Sequence, residues 1–336
     1  RDENFFFSFS THSDTVRVFV FSWLSVRLQQ QNTHRSLGSQ RINGGKQMTN
    51  YILMTESGND IPNELAQQYG IFVVPMHVTF NGKCLDDGTF PATDVFDHYK
   101  KTRELPKTSG CMPADFYPFF DKIEQEHPNA EIIYLAYSAA TTCSYESALV
   151  AVKTRSQAFQ DRFHAFDMKA VSAGGCLIVK EVAQRIEQQP SITLPELTAY
   201  IEDRIARCRM HFIPGSLEFL HAGGRLSNMA FLGAMLLNIK PTIEILDGKL
   251  VATKKQRGSM EKCVMKAVEH FLSDEPKEHE HLNLIWGAGL DQSIQDKVTK
   301  RCEEAGFKDI CWIQTGGVIG SHSGPGAFGI VAMAQA

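Results

Sequence analysis

The stretch that decides the fold is Ile132-Ile-Tyr-Leu-Ala-Tyr137, which is followed by the polar segment Ser138-Ala-Ala-Thr-Thr-Cys-Ser144 and by Tyr145–Phe159. The first segment is a short apolar run that predicts a buried strand, the second predicts a loop and the third a helix. Similar units recur on both sides of it, with strands predicted at Tyr51–Met54, Ile71–Val74, Met76–Phe80, Lys83–Leu85 and Phe163–Phe166. Strands that alternate with helices predict a parallel sheet with helices on both of its faces.

Polar loops follow several of these strands, and the carboxyl edge of a parallel sheet is where such folds bind ligands. Besides Ser138–Ser144, the polar loops are Thr55–Asp60, Asp167–Gly175 and Leu105–Pro113. We expect all four to lie on one edge of the sheet.

The loop Leu105-Pro-Lys-Thr-Ser-Gly-Cys-Met-Pro113 precedes a predicted helix at Ala114–Glu126. It places the hydroxyls of Thr108 and Ser109 ahead of free backbone amides, and Pro113 suits the first helical turn because it lacks an N–H. Helix amino termini bind anions, so this loop is a candidate anion site. The alternative is that Thr108 and Ser109 only cap a surface helix.

The second half of the chain has a different order of predicted strands and helices. Lys240–Leu246 and Lys249–Thr253 are predicted strands joined by Asp247-Gly248, which is a hairpin signature. Further strands are predicted at Met210–Ile213, His281–Trp286, Asp309–Gln314 and Phe328–Met333, and helices at Leu194–Cys208, Asn228–Asn238, Met260–Leu272 and Asp291–Ala305. This pattern predicts an α+β domain with a partly antiparallel sheet, and the prolines between residues 190 and 214 place the domain boundary there.

The carboxyl end contains a glycine-dense segment, Thr315-Gly-Gly-Val-Ile-Gly-Ser-His-Ser-Gly-Pro-Gly-Ala-Phe-Gly329. Its last six residues match G-x-G-x-x-G, but a dinucleotide site needs a helix next and an acidic residue about 20 positions on, which this sequence does not contain. The feature that remains is His322, held where glycines let the backbone approach a ligand closely. An imidazole suits a carboxylate or phosphate, and the alternative is a structural histidine.

Composition limits the classes of function. The 336 residues are 43% hydrophobic and 21% charged, which is typical of a globular chain long enough for two domains. The formal net charge of −4 and the lack of a dense Lys/Arg run argue against nucleic acid as a partner. The eight cysteines form no C-x-x-C motif and no histidine cluster has metal-ligand spacing, so we predict reduced thiols, no metal site and a cytoplasmic protein.

Residues 1–47 differ from the rest of the chain. No acidic residue lies between Asp14 and Glu56, and the apolar run Val18–Val26 is too short to span a bilayer. Met48 begins a segment that looks like a natural amino terminus. We therefore predict that residues 1–47 are a non-native or disordered extension and that the protein makes no stable membrane insertion, with a signal-anchor or transit segment as the alternative.

Several motifs occur in the order and spacing found in the DegV family of fatty-acid-binding proteins, which this sequence resembles. They are Ser57…Asp60-Ile-Pro62, Lys107-Thr-Ser109, Ser138…Ser144-Tyr-Glu-Ser-Ala148, Leu217-Glu-Phe-Leu220, Gly223-Gly-Arg-Leu-Ser227, Ile239-Lys-Pro241, Arg257-Gly258 and Ile319-Gly-Ser-His-Ser-Gly-Pro-Gly326. The resemblance runs from about Tyr51 to Met333. It implies an α/β fold with a Rossmann-like parallel-sheet first domain, residues 48–209, and a smaller α+β second domain, residues 210–336, with one long-chain fatty acid between them.

The resemblance also implies how the acid is held. Hydroxyls of Thr108, Ser109 and Ser138 and the imidazole of His322 would bind the carboxylate, while Arg225 organises the site. No cofactor is implied. In the family the bound acid is presented to a separate fatty acid kinase, which forms an acyl phosphate for phospholipid synthesis, so this chain would be a carrier and not an enzyme.

The sequence departs from the family pattern in the two hydroxyl loops. Gly110-Cys111-Met112 stands where the family has Gln-Pro, and Thr142-Cys-Ser-Tyr145 replaces Ser-Gly-Thr-Tyr, so we expect the loop backbone to differ. The alternative function is an enzyme, because a resemblance to the dihydroxyacetone kinase substrate subunit would make His322 a covalent attachment point or general base for a small polar ketone. A long apolar tunnel would favour the carrier, and the apolar Asn228–Asn238 is either one of its walls or an ordinary core helix.

Overall fold

The computed structural model describes residues 19–20, 50–226, 237 and 239–336. The described strands are β1 (Phe19–Val20), β2 (Tyr51–Glu56), β3 (Phe72–Val74), β4 (His77–Phe80), β5 (Lys83–Asp86), β6 (Lys107–Ser109), β7 (Glu131–Ala136), β8 (Phe163–Asp167), β9 (Cys208–Ile213), β10 (Lys240–Leu246), β11 (Lys249–Gln256), β12 (His281–Trp286), β13 (Asp309–Gln314) and β14 (Phe328–Met333). The described α-helices are α1 (Asn63–Tyr69), α2 (Ala92–Thr102), α3 (Pro113–Glu126), α4 (Ser144–Val152), α5 (Gln157–Gln160), α6 (Ala173–Gln188), α7 (Leu194–Arg207), α8 (Leu217–Ala222), α9 (Met260–Asp274), α10 (Gln292–Glu304) and α11 (Gly317–Ser323).

The first half of the chain forms a four-stranded sheet in the order β3-β2-β7-β8. Every described neighbour pair in it is parallel. Nearly all residues of β2 and β7 are buried, as continuous apolar strands with helices on both faces require. The predicted parallel sheet is therefore confirmed for β2, β3, β7 and β8, whereas β4 and β5 pair antiparallel in a separate three-stranded sheet of order β5-β4-β6.

The second half forms a seven-stranded sheet in the order β1-β13-β12-β14-β9-β10-β11. Its first two pairings are parallel and the remaining four are antiparallel, so the partly antiparallel sheet is confirmed. The β10–β11 hairpin turns at Asp247 and Gly248, whose φ values of 48° and 78° are both positive. Two positive φ values define the hairpin turn that an Asp-Gly pair favours.

Two helical features differ from the sequence prediction. Helix α2 was not predicted, because only Ala92, Val95 and Phe96 of its eleven residues are buried and the rest of its sequence is polar and charged. The single helix predicted at Tyr145–Phe159 is two helices, since the Ser156 hydroxyl accepts from the Phe159 N–H and begins a new helical turn. A serine cap competes with helix continuation in this way.

Helix α6 connects the two sheets. It packs against β2 and β7 on one side and against β9, β12 and β14 on the other. It begins at Ala173, within the segment Asp167–Gly175 that was predicted to be a loop, and its first seven residues are buried. The loops of the parallel sheet therefore face strands of the second sheet. The exact domain limits, 48–209 and 210–336, stay a prediction.

Some sequence predictions fall outside the described residues. The apolar helix Asn228–Asn238 lies almost wholly outside them, as does the segment 1–47 except for β1. Within the described ranges, no helix combines the length and the apolar character that crossing a bilayer requires.

Candidate functional site

A cavity of about 270 Å³ is lined by loops of the parallel sheet and by strands of the seven-stranded sheet. Strands of the seven-stranded sheet and helix α8 contribute large apolar side chains, and strand β6 and the loops contribute hydroxyls. The main apolar contributors are Met210, Phe212, Leu220, Leu250, Ile285 and Phe328. A mostly apolar cavity with a few convergent polar groups is the usual form of a small-molecule site.

The polar residues of the cavity form one contiguous group. Thr108 Oγ1 lies 2.8 Å from His322 Nε2. The Arg225 guanidinium donates to the carbonyl of Gly223 at 2.6 Å and to the carbonyl of Thr141. A hydroxyl, an imidazole and a guanidinium from three separate segments therefore meet in one part of the cavity lining.

His322 lies in the last turn of α11, and its Nδ1 has no hydrogen-bond partner among the described residues. A Cβ atom on Gly223 would lie 2.0 Å from that nitrogen, so the close approach requires glycine there. Burial, assisted by the nearby Arg225 charge, lowers the pKa of His322 to about 4. The ring is therefore neutral at pH 7, and its Nδ1 is a buried nitrogen without a partner among the described residues.

Arg225 supplies positive charge to the part of the cavity lining that contains Thr108 and His322. Its hydrogen bonds go to backbone carbonyls, and it forms no ion pair with a carboxylate in the described part of the chain. A partly buried cation without a counter-ion favours an anionic ligand, because burying the opposite charge beside it offsets part of the desolvation cost. The three groups together suit a carboxylate.

The loop that carries Thr108 is built differently from the sequence prediction. Residues Lys107–Ser109 form β6, in which Thr108 pairs with Val78 of β4. Helix α3 is capped by Asp115, whose carboxylate accepts from the Met112 N–H at 2.7 Å. Neither Thr108 nor Ser109 caps the helix, so strand pairing and not a helix start positions these hydroxyls.

The departures from the family pattern lie where two loops touch. A Cβ atom on Gly110 would lie 2.1 Å from Thr142 Oγ1, so glycine is required at this crossing. The Ser144 hydroxyl accepts from the Cys111 N–H at 2.9 Å. The neighbouring Ser109 is exposed and contributes to the cavity lining. The altered residues thus shape the backbone that carries Ser109 and leave the Thr108 hydroxyl in place.

Ser138 does not lie where the resemblance implies. It is fully buried, and its hydroxyl donates to the carbonyl of Gly248, at 2.7 Å, in the β10–β11 turn. It is not among the residues that line the cavity. The physical reason is that the hairpin turn lies directly on this loop, since a Cβ atom on Gly248 would be 2.5 Å from the Ser138 hydroxyl.

The cavity lining also includes serine and threonine residues that were not predicted as site residues, among them Thr141, Ser172 and Thr315. The Thr315 hydroxyl is buried and has no partner in the described structure. Each of the three lies in a polar segment that the sequence did mark. A polar segment does not show which of its hydroxyls faces inward, because loops lack the periodicity of strands and helices.

Two buried carboxyls lie beside the cavity loops. Glu56 accepts from the Tyr134 hydroxyl and from the Tyr137 N–H, and burial raises its pKa to about 7. Asp60 accepts from the Ser172 hydroxyl, and burial raises its pKa to about 8. At pH 7 Asp60 is therefore mostly protonated, and Glu56 is near its titration midpoint.

One group of possible metal ligands occurs in the described ranges, although the sequence predicts no metal site. Atoms of His211, Glu244 and Asp274 lie within 4.8 Å of one another. The Lys254 ammonium already lies 3.2 Å from the Asp274 carboxylate, so a cation is present there. The group is not part of the cavity lining. Strand pairing brings His211 next to Glu244, which sequence spacing does not reveal.

The chain is similar to known proteins along most of its length. The sequence profile of a family described as "uncharacterised protein, DegV family" matches residues 51–335. A DegV domain-containing protein of Caldanaerobacter subterraneus subsp. tengcongensis is 27% identical over 286 residues, which cover 84% of this chain and 98% of that protein.

Solved structures with the same fold include two that are described with fatty acids. A DegV family protein from Thermus thermophilus, described by its fatty acid binding, superposes with a TM-score of 0.74 at 25% identity and covers 85% of this chain and 100% of that one. The fatty acid kinase B3 protein of Streptococcus pneumoniae, solved with linoleic acid, gives a TM-score of 0.74 at 17% identity with the same coverage. At this lower identity the similarity shows the fold alone.

Proposed function

This chain belongs to the DegV family, and we propose that it binds one long-chain fatty acid in the cavity between its two sheets. In this proposal the carboxylate lies against Thr108, Arg225 and His322, and the acyl chain follows the apolar wall. The observation that carries it is an Arg225 charge without a described counter-ion, beside a neutral His322–Thr108 pair, in the lining of a mostly apolar cavity. Ser109 is a further candidate contact, and Ser138 supports the loop.

The apolar wall supplies most of the binding free energy. Burial of each methylene contributes about 0.8 kcal/mol, so a chain of roughly fifteen methylenes contributes about 12 kcal/mol before the costs of association. Met210 and Met76 of the wall are unbranched and adaptable, which suits a flexible chain. A small polar ligand gains nothing from this surface.

The head group decides whether the complex forms. A buried carboxylate without partners costs several kcal/mol. Arg225 offsets that cost by its charge, and the hydrogen-bonded Thr108–His322 pair offsets it with one hydrogen-bond donor. The neutral ring carries one N–H. If Nε2–H donates to Thr108, the Thr108 hydroxyl is the donor left for the carboxylate, and if Nε2 accepts from Thr108, the donor left is Nδ1–H, which has no partner among the described residues.

We propose that the protein is a carrier without catalytic activity of its own, and that a separate fatty acid kinase converts the bound carboxylate to an acyl phosphate. The thiol that follows strand β6 supports this. Cys111 is fully buried, and burial raises its pKa strongly, so it stays a protonated packing residue and not a nucleophile. The exposed Ser109 and Cys143 beside the polar end leave the head group close to the surface, where a partner can reach it.

An enzyme acting on a small polar ketone is the second candidate. It would use His322 as a nucleophile or base, for which a neutral imidazole is suitable. The wall of Met210, Phe212 and Ile285 disfavours it, because such a substrate would leave this apolar surface unfilled and its own hydroxyls without partners.

Organic extraction of freshly purified protein followed by mass spectrometry tests the proposal most directly. We expect about one long-chain fatty acid per chain. Material that contains no fatty acid and fails to bind added palmitate would contradict the carrier function. Turnover of a triose without a partner would establish the enzyme instead.

A coupled assay tests the presentation of the head group. Purified fatty acid kinase, ATP and palmitate are combined with this protein, and the acyl phosphate is trapped with hydroxylamine. We expect product only when this protein is present, and a loss of product with the Arg225→Met variant. Equal product formation without this protein would contradict the proposed partnership.

A further inference from the structure

The helix that carries His322 begins against two buried carboxyls from the first half of the chain. Asp60 Oδ1 accepts from the Gly316 N–H at 2.8 Å. Asp87 Oδ1 accepts from the next two backbone amides, at 2.8 and 3.3 Å. These bonds satisfy three consecutive N–H groups that a helix start cannot satisfy internally.

The placement of these two carboxyls is costly. Asp60 is 8% exposed and Asp87 is 7% exposed, and burying a carboxyl requires compensating hydrogen bonds. Burial raises the pKa of both groups. The amides that compensate them lie 256 and 230 residues further along the chain. The bonds therefore tie two distant parts of the fold together.

Backbone strain is concentrated at the same point. Asp60 and Ser172 adopt φ values of 48° and 50°, in the left-handed region that residues with a Cβ atom rarely occupy. The Ser172 hydroxyl donates to Asp60 Oδ2 at 2.5 Å, and its backbone N–H donates to Gly58 at 3.1 Å. Strain of this kind persists only where the surroundings fix it, and it is enriched at functional sites.

The carboxyls are themselves held by the loops of the parallel sheet. The Asp87 N–H donates to the Met76 carbonyl at 2.8 Å, and the Met76 N–H donates to the Ser57 hydroxyl at 3.0 Å. The helix α11 instead follows β13 of the seven-stranded sheet. Asp60 and Asp87 thus fix an element of the second sheet against the first.

We infer that Asp60 and Asp87 are positioning residues for the ligand, acting through the amides of residues 316–318 to hold His322 against Thr108. This inference rests on the proposed function, because it concerns how that site receives its carboxylate. The contact between Thr108 Oγ1 and His322 Nε2 is 2.8 Å, and a hydrogen bond of this length is lost when the helix shifts by less than 1 Å. Anchoring the helix start therefore controls the position of the imidazole at its other end.

A double-mutant cycle tests the inference with palmitate as the probe. We expect Asp87→Ala to weaken palmitate binding about tenfold, and Asp60→Ala to weaken it similarly. In a His322→Ala background we expect Asp87→Ala to have less than a twofold effect, because its action passes through the missing imidazole. Asp87→Asn keeps an oxygen acceptor for the helix amides and should restore the affinity to within about threefold of the wild type.

The matched control is Glu181→Gln. Glu181 is also a buried carboxyl, but it contacts Arg204 and does not line the cavity. We expect this variant to lower the unfolding midpoint while its palmitate affinity equals that of the wild type. Equal effects of Asp87→Ala in both backgrounds, or a loss of stability without a change in affinity, would overturn the positioning role.

Nuclear magnetic resonance of the His322 ring nitrogens separates this inference from the proposed function, because it requires no ligand. We expect Asp87→Ala to change the ring ¹⁵N shifts of the free protein. If the wild type binds no palmitate but the shifts change, the proposed function fails and the positioning role stands. If palmitate binds and Asp87→Ala changes neither the shifts nor the affinity, the positioning role fails and the proposed function stands.

Discussion

Thr108 and Ser138 both carry a hydroxyl, but the fold places one in the cavity and buries the other against a turn. Both are hydroxyl residues of polar segments in the first half of the chain, and the family resemblance implies that both contact the head group. Thr108 faces His322 at 2.8 Å in the cavity. Ser138 is buried against the β10–β11 turn and donates to Gly248 at 2.7 Å.

The difference teaches that strand pairing and loop contacts, and not residue type, decide what a hydroxyl does. Thr108 is part of β6, and its pairing with Val78 fixes its position beside the cavity. The Ser138 N–H donates to Ala170 at 3.0 Å, which directs the side chain toward the hairpin turn. A side-chain hydroxyl thus contributes to the cavity in one region and to a contact between the two sheets in the other.

The largest effect is expected at Arg225, which lies on the cavity side of the comparison between Thr108 and Ser138. Arg225→Met removes the cation beside the proposed carboxylate, and breaking a buried charge pair typically costs about 3–5 kcal/mol. We therefore expect palmitate affinity to fall by a factor on the order of 10² to 10³ in isothermal titration calorimetry. Thermal unfolding provides the control for folding, and a variant that is folded and binds normally would place the head group elsewhere.

The next effect concerns the buried carboxyl that holds the loop leading to Ser138. Glu56 has a folded-state pKa of about 7, above its ordinary 4.5, so its contribution to stability is complete below pH 4.5 and is lost as the pH rises through 7. The stability advantage of the wild type over Glu56→Gln should therefore shrink by about 2–3 kcal/mol between pH 5 and 8. Urea denaturation at both pH values measures it, and parallel stability profiles would contradict a raised pKa.

Removal of the cavity hydroxyl should give a smaller effect. Thr108→Val keeps the volume and removes the hydroxyl, and hydrogen bonds to charged groups contribute about 1.5–3 kcal/mol. We expect palmitate binding to weaken by roughly ten- to hundredfold, with little loss of stability. Unchanged affinity would mean that Thr108 only orients the imidazole.

The matched change on the other side of the comparison is Ser138→Ala. It leaves the Gly248 carbonyl without its donor, so we expect a loss of about 1–2 kcal/mol in the free energy of unfolding and an unchanged palmitate affinity. Denaturant titration and calorimetry on the same preparation separate the two quantities. A clear loss of affinity would show that Ser138 contributes to binding of the head group.

The smallest effect is expected at the exposed edge of the same contact. Lys169 Nζ lies 2.5 Å from Asp247 Oδ1, but both side chains are at least half exposed. Exposed ion pairs contribute little, so Lys169→Ala should leave the unfolding midpoint within experimental error of the wild type. A shift as large as that of Ser138→Ala would show that this ion pair also holds the hairpin.

The sequence determined the parts of this protein that depend on local patterns. Apolar runs such as Ile132–Ala136 followed by polar loops and helices predict the parallel sheet, and Asp247-Gly248 predicts the hairpin turn. The glycines around His322 predict a place where other groups can approach the backbone closely. Helix α2 was missed although its few apolar residues recur at helical spacing, because only Ala92, Val95 and Phe96 of its eleven residues are buried and the others are mostly polar or charged.

Only the tertiary structure decided which polar residues share the cavity. Thr108 and His322 are 214 residues apart in the chain, and the carboxyls that hold the helix of His322 are more distant still from their amides. Such contacts depend on strand register and on the packing of two sheets around α6, neither of which leaves a periodic trace in the sequence. Residue type and local period fix the elements, whereas the direction of each side chain follows from how the elements are packed together.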